Sequence, residues 1–273
     1  MLTRVEVRTR RGTLLTLPLE DVESGYILAG VEGLDPVKAT LVSSSFANKD
    51  GAQYQSSRRE SRNMKLKLEL EPDYVTNSVE SLRRNLYSYL MPKQEVDLHL
   101  VFDDGLEVDI TGRVESHEAP VFTKEPAVDV SLMCFEPDFI DPNLVTIDGT
   151  STDLDTETEV EYVGNIETGF IFTMELDRDE SALTIYVRKP DGTMQQIDFA
   201  ASLLDGDILR ISTIDGEKGA WLTRASVESS ILYGISPQSA WPQFEQGTNG
   251  LRVYATGTTI PYTIEYITRY GGL

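Results

Sequence analysis

The chain has little of what catalytic and metal-binding proteins depend on. It carries one cysteine, Cys134, two histidines, His99 and His117, and two tryptophans in 273 residues. A lone cysteine cannot close an internal disulfide. Cys134 sits among Val130, Leu132, Met133 and Phe135, reads as a small buried apolar residue, and fits folding in a reducing cytoplasm. Two histidines without metal-pair spacing and no second cysteine exclude a structural zinc site. Nucleophilic catalysis needs a base poised beside its nucleophile, and there is no G-x-S-x-G elbow to supply one. His99 lies inside an alternating strand and His117 at a strand end, so both read as ordinary sheet or turn residues. The chain is therefore expected to be no enzyme and to hold no cofactor or metal.

Positive charge is also scarce. Lysine and arginine total 24 against 45 acidic residues, a net charge of -21 spread over both halves, which argues against nucleic acid as a partner. No stretch approaches the apolar length of a membrane span, so no membrane insertion is expected. The opening MLTRVEVRTRRG alternates charged residues with Leu2, Val5 and Val7 and reads as a strand, not a signal peptide.

What is present is mostly strand pattern. The length suits one large or two ordinary domains. Arg4 to Arg10 alternates, and Leu14–Leu17 and Tyr26–Ala29 follow it. Further strands are expected at Val96–Phe102, at Leu106–Ile110 after an Asp-Asp-Gly hairpin turn, at Val114–His117 and at Val128–Phe135. One helix is expected over Asn77–Leu90: Asn77 or Ser78 caps it, Val79, Leu82, Leu86 and Leu90 line one face, and Pro92 stops it. Glu136-Pro137-Asp138-Phe139-Ile140-Asp141-Pro142-Asn143 breaks the pattern, giving domains at 1–140 and 143–273. After it come eight short strand candidates punctuated by Asp-Gly turns at 191, 205 and 215, which suggests a β-sandwich or jelly roll. The last residues fit either the sandwich or a return to the first domain.

Between Gly33 and Pro72 lies the stretch on which the rest hangs. Gly33-Leu34-Asp35-Pro36 is a turn, because Pro36 fixes its own φ and pushes Asp35 out of the helical region. About twenty polar residues follow, Ser43 to Asn63, with Lys49, Arg58, Arg59 and Arg62 but little apolar material. Met64 to Glu71 then alternates strictly, as a half-buried strand does. A structureless loop this long is uncommon within a compact domain and signals function or disorder. Four cations in so acidic a chain suggest docking onto an acidic surface, such as a second copy would offer.

Two other patterns carry weaker chemistry. Asp153, Asp155, Glu157, Glu159 and Glu161 share one face of an extended segment; calcium needs a sharp glycine turn that is missing there, so a solvated strand face or docking patch is the better reading. Trp221, Trp241, Tyr233 and Tyr254 could stack on sugars, although aromatic residues in strands more often fill a core.

The turn, the polar excursion carrying Lys49-Asp50-Gly51-Ala52 and the alternating strand resemble the distal tail protein of long-tailed siphophages. So do Asn165-Ile166-Glu167-Thr168-Gly169-Phe170, Gly206 to Ile211, Ser239-Ala240-Trp241-Pro242-Gln243-Phe244 with Gly247 and Asn249, and the ending Tyr266 to Leu273. The resemblance implies a mainly β chain: an N-terminal α+β ring-forming domain (a sandwich or split barrel with one helix and a long belt loop), then a galectin-like jelly-roll sandwich. It implies a hexameric ring at the distal end of the virion's tail, made in the host cytoplasm. The tail-tube protein would lie above, the tail-associated hub protein below, and receptor-binding proteins or side fibres would attach in some relatives. Ser45, Lys49, Gln53, Tyr54, Arg58, Arg59 and Arg62 would form the belt's subunit interface. Charge alone suggests Asp103, Asp104 or Glu107 of the next copy as partners of Arg58, Arg59 and Arg62. The alternative is a carbohydrate-binding module using Trp221 and Trp241, although the clustered galectin sugar residues are not visible.

Overall fold

The computed structural model describes residues 1–19, 24–48, 50–120, 126–256 and 259–273. The chain is mainly β and forms two compact units, Met1–Pro142 with Gly271–Leu273, and Asn143–Tyr270.

The first unit contains β1 (Leu2–Thr9), β2 (Leu14–Pro18), β3 (Tyr26–Glu32), β4 (Ala39–Ser44), β5 (Gln53–Arg59), β6 (Arg62–Leu70), α1 (Val79–Tyr89), β7 (Glu95–Phe102), β8 (Glu107–Glu118), β9 (Ala127–Cys134) and the start of β10 (Phe139–Thr150). Antiparallel pairing runs β2-β1-β7-β8-β9-β6-β3, and the two edges β2 and β3 approach each other. Period-two alternation turns one face of each strand inward. Val5 and Val7, Leu98 and Leu100, and every second residue from Met64 to Leu70 and from Val128 to Cys134 are buried there.

Helix α1 starts where Ser78 caps it: the Ser78 hydroxyl accepts the Ser81 amide while Ser81 returns a bond to the Ser78 amide. Leu82, Leu86 and Leu90 are buried, each such burial being worth about 1.5–3 kcal/mol. The Tyr26 hydroxyl donates to the Leu82 carbonyl and accepts from Asn85, tying the helix to β3. Ahead of the helix, Asp73 accepts from the Thr76 hydroxyl and the amides of Asn77, Thr76 and Val75. These bonds hold its carboxyl down at about 2 and keep Tyr74 at a φ of 57°.

Three expectations are corrected here. The stretch 43–63 is not structureless: β4 and β5 form their own two-stranded antiparallel sheet. Leu106–Ile110 and Val114–His117 are one strand, β8, kept continuous by an irregularity between Val114 and Ser116. The two-proline stretch does not interrupt the strands, because β10 runs through Pro142, although the two units divide there; its sheet pairing in the first unit is Ile140 with Asp109, so the missing proline amide costs little.

The second unit adds β11 (Thr158–Tyr162), β12 (Phe170–Glu175), β13 (Glu180–Arg188), β14 (Met194–Leu203), β15 (Ile208–Ser212), β16 (Gly219–Arg224), β17 (Val227–Ser230), β18 (Gly247–Ala255) and β19 (Pro261–Tyr270). One sheet runs β17-β16-β15-β12-β19-β10 and the other β11-β18-β13-β14. Both contribute to one core, with Phe170 and Phe172 from the first and Ile185, Val187 and Val253 from the second, which makes the unit a β-sandwich. Phe244 stacks on Phe170 at 5.0 Å. Buried Asn249 donates to the carbonyls of Glu245 and Gly247 and accepts the Glu245 amide, closing the turn before β18.

Candidate functional site: a projecting hairpin and its arginine root

The β4–β5 hairpin is mostly polar, with no period-two apolar face to turn toward the core. Its register runs from Ala39 opposite Arg59 to Ser44 opposite Gln53, with a shift between Val42 and Ser43. Every β5 residue is exposed, and neither strand pairs with another sheet. Leu41 is 68% exposed, Tyr54 61%, and Val42 and Phe46 are exposed as well. Tyr54 lies along the strand toward Ser57, its hydroxyl 2.8 Å from the Ser57 oxygen. Ser57 pairs with Leu41, so Leu41 and Tyr54 present one apolar face. A two-stranded hairpin alone in water is marginal, and apolar side chains raised on it call for a covering surface.

The root is built differently. Gly33 adopts a φ of +97°, and a Cβ there would meet the Asn63 carbonyl oxygen at 2.3 Å, so the turn requires glycine. Its carbonyl and that of Asp35 converge on Arg62, which is 1% exposed. The Arg62 guanidinium donates to the carbonyls of Gly33, Asp35 (2.7 Å), Pro137 (2.7 Å) and Gly271 (2.6 Å), and lies 4.3 Å from the Phe139 ring centroid. Burial lowers its pKa from the usual arginine range, partly offset by Cys134 and Asp138 nearby. Leu273 donates its amide to the Leu34 carbonyl at 3.0 Å, and Gly272 packs so close to Pro36 that a Cβ would meet the ring at 2.6 Å. Arg59 makes a two-pronged bond to Asp138, a carboxylate almost fully buried in the same chain. Paired arginine and carboxylate forks of this kind fix geometry as well as energy.

The seven residues expected at a subunit interface thus fall into two groups. Ser45, Gln53, Tyr54 and Arg58 are exposed on the hairpin, Arg58 at 78% with Glu60 3.7 Å away. Arg59 and Arg62 have their charged groups engaged within their own chain. Lys49 lies outside the described residues. The suggested acidic partners are also partly committed. Asp103 binds the N-terminal amine, Asp104 accepts the Leu106 amide, and Glu107 lies 3.6 Å from His99. The missed functional residue is Asp138, and no local pattern marks it, since its partner lies 79 positions away.

The other candidate groups separate. Trp221 on β16 has the Arg210 guanidinium over its ring at 4.8 Å, while Trp241 packs partly buried against the sandwich core; among the described residues no ring contact joins them. Glu157 pairs with Arg188 at 2.7 Å and Asp155 with Arg252, so the acidic run is partly neutralised by its own sheet. No cluster of three metal-ligating side chains occurs among the described residues, and no helix is long and apolar enough to cross a membrane.

The fold of this mainly β chain is shared with a solved structure. The Dit protein of phage SPP1 (gp 19.1) matches at a TM-score of 0.66 with 16% identity, over 97% of this chain and 98% of that one. That protein is described as a paradigm of the hub adsorption apparatus in phages infecting Gram-positive hosts. At this identity the likeness establishes the fold. The phage P2 baseplate in its activated conformation with Ca aligns over 100% of both chains at a TM-score of 0.46 and 9% identity, too low to carry an argument. No protein-family model and no curated protein sequence matches the chain.

Proposed function

We propose that the chain is a structural virion protein, the distal tail protein of a siphophage, closing a six-membered ring that joins the tail tube to the tail-tip hub. The observation that carries this reading is the β4–β5 hairpin, which leaves Leu41, Val42, Phe46 and Tyr54 uncovered while its root is locked by Arg59 and Arg62. A rigid root and an apolar, uncovered arm are what a head-to-tail contact between identical subunits needs, and such contacts close into rings when the rotation allows. The fold shared with SPP1 Dit over nearly the whole chain supports the same reading. In it the tail-tube protein lies on one side of the ring and the tail-associated hub protein on the other, in the virion at the distal end of the tail. The second unit is a galectin-like sandwich that acts as an attachment platform for the adsorption apparatus, without chemistry of its own.

Native mass spectrometry of the full chain at near-physiological salt tests the ring. The expected species is a hexamer. Replacing Leu41–Ser57 by Asn-Gly removes the arm while keeping the Arg59 anchor, and should return monomer. A full chain that stays monomeric at tens of micromolar overturns the self-closing ring.

A further inference from the structure

In a chain of net charge -21, one pocket of the first unit is lined mainly by cations. The β1–β2 turn, the chain entering β7 and Arg113 of β8 enclose a space of about 240 Å³. Arg10, Arg11, Lys93 and Arg113 line it, and Glu95 is the one carboxylate among the described residues of its wall. Glu95 is shared, because Arg10 and Arg113 both pair with it, Arg113 at 2.6 Å. Arg11 and Lys93 make no ion pair or side-chain hydrogen bond among the described residues. Four cations against one carboxylate leave three positive charges unmatched. The backbone holds both walls in place. The Gly12 amide donates to the Thr9 carbonyl (2.8 Å) and the Thr9 amide to the Thr13 carbonyl (3.0 Å), which sets Arg10 and Arg11 at the turn's tip. Opposite, the Gln94 amide closes a turn on the Met91 carbonyl at 3.0 Å, and within it Lys93 sits at a φ of 77°. That region favours glycine or asparagine, so a lysine there strains the backbone. Strained positions cluster where a side chain serves a site.

We propose that this pocket binds the diphosphate group of a small molecule, with Arg11 and Lys93 as its principal ligands and the Glu95-braced Arg10 and Arg113 completing the cage. The inference goes beyond the ring reading and does not rest on it. Charge sets the class of ligand. A single carboxylate matches one of the three unmatched charges, whereas one phosphate already carries about two negative charges at neutral pH and several acceptor oxygens. Guanidinium forks and an ammonium point charge are the donors that phosphate oxygens take best. Size agrees, since the pocket is several times the roughly 30 Å³ that one water occupies. The field of the whole chain limits the ligand to a small one. A long polyanion meets the repulsion of an acidic surface, whereas within the screening length of about 8 Å at physiological salt the pocket's own cations dominate.

The test is isothermal titration of the full chain with pyrophosphate, in phosphate-free buffer at physiological salt. The expected result is saturable binding at one site per chain. Arg11→Gln and Lys93→Gly should each weaken it about tenfold, as loss of a hydrogen bond to a charged group does. Lys93→Gly should also melt no lower than the parent, because glycine removes the strain at that φ; a purely structural lysine would not separate the two readouts. Arg84→Gln, an exposed arginine on α1 away from the pocket, should bind as the parent does. A parallel titration with ADP distinguishes a free ion from a nucleotide, and binding of either supports the site. Three results overturn the proposal: no saturable binding, an equal loss in Arg84→Gln, or citrate binding as tightly as pyrophosphate. Undiminished binding in the Arg11→Gln, Lys93→Gly double variant overturns it as well, because the anion then sits elsewhere.

Discussion

At the root of one hairpin the same residue type serves opposite purposes. Arg58, Arg59 and Arg62 lie within five positions, in a sequence context without apolar residues. Arg62 is buried under four carbonyls and an aromatic ring, Arg59 is clamped to a buried carboxylate, and Arg58 stands in solvent. Charge density along a sequence therefore does not define a docking patch. Only the cation whose desolvation the fold has not already compensated remains available to a partner, because a buried charge must be satisfied internally. The root is an element of stability and, in the proposed ring, the tip is the element of association, so substitutions at the two ends should divide accordingly.

The largest expected effect is at Arg62. Arg62→Ala removes a buried guanidinium that serves four carbonyls and opens space beneath Phe139, and should cost about 3–5 kcal/mol in chemical denaturation. A loss below about 1 kcal/mol would mean that water replaces the guanidinium and that the root is not the stability element described. Arg59→Ala comes next. It leaves the Asp138 carboxylate buried without its fork, at a cost of about 2–3 kcal/mol. Arg59→Lys should recover only part of that, since an ammonium cannot make the two-pronged bond.

How much of this was readable beforehand depends on whether one face of an element is buried. Met64 to Leu70 announced a strand because a single face packs inward, and Ser78 announced the start of α1 because a capping hydroxyl leaves a local mark. Neither cue exists in the hairpin, where Ser43, Ser44, Gln53, Gln55, Ser56 and Ser57 give no period on either face. Strand β10 was hidden by Pro137 just before it and Pro142 within it, the latter tolerated by its sparse pairing in the first unit. The burial of Arg62 did have a signal: carried back two residues, the inward phase of Met64, Leu66, Leu68 and Leu70 falls on position 62. Arginine's usual exposure outweighed that phase. The Arg59–Asp138 bond had none, because tertiary pairing over 79 residues leaves no local pattern.

A smaller effect reads the root through pH. Cys134 lies close enough to Arg62 for the two charges to interact, and burial pushes its thiol up to about 12, with Arg62 opposing. A raised acid resists ionisation in the fold. Its contribution is therefore complete below the ordinary thiol value of about 9 and is lost as pH rises from there toward 12. Buried Tyr162, also raised to about 12, moves the same way but starts from about 10. The difference between parent and Cys134→Ala from pH 8 to pH 10 should isolate the thiol, the parent losing stability faster. Thiol labelling at pH 8 should follow unfolding in the parent and accelerate in Arg62→Ala. Rapid labelling of the folded parent would contradict a closed root.

The smallest expected change in stability is at the tip, and there its smallness is the point. Leu41→Ser with Tyr54→Ser removes two exposed apolar side chains that contact little of their own chain, so denaturation midpoints should move by no more than about 0.5 kcal/mol. Assembly, measured by native mass spectrometry on the same preparation, should nevertheless fall to monomer, because in the proposed ring these side chains bury their surface against another copy. Equal losses of stability and assembly would mean that the hairpin packs on its own subunit in solution. The division between root and tip would then give way to a single cooperative element.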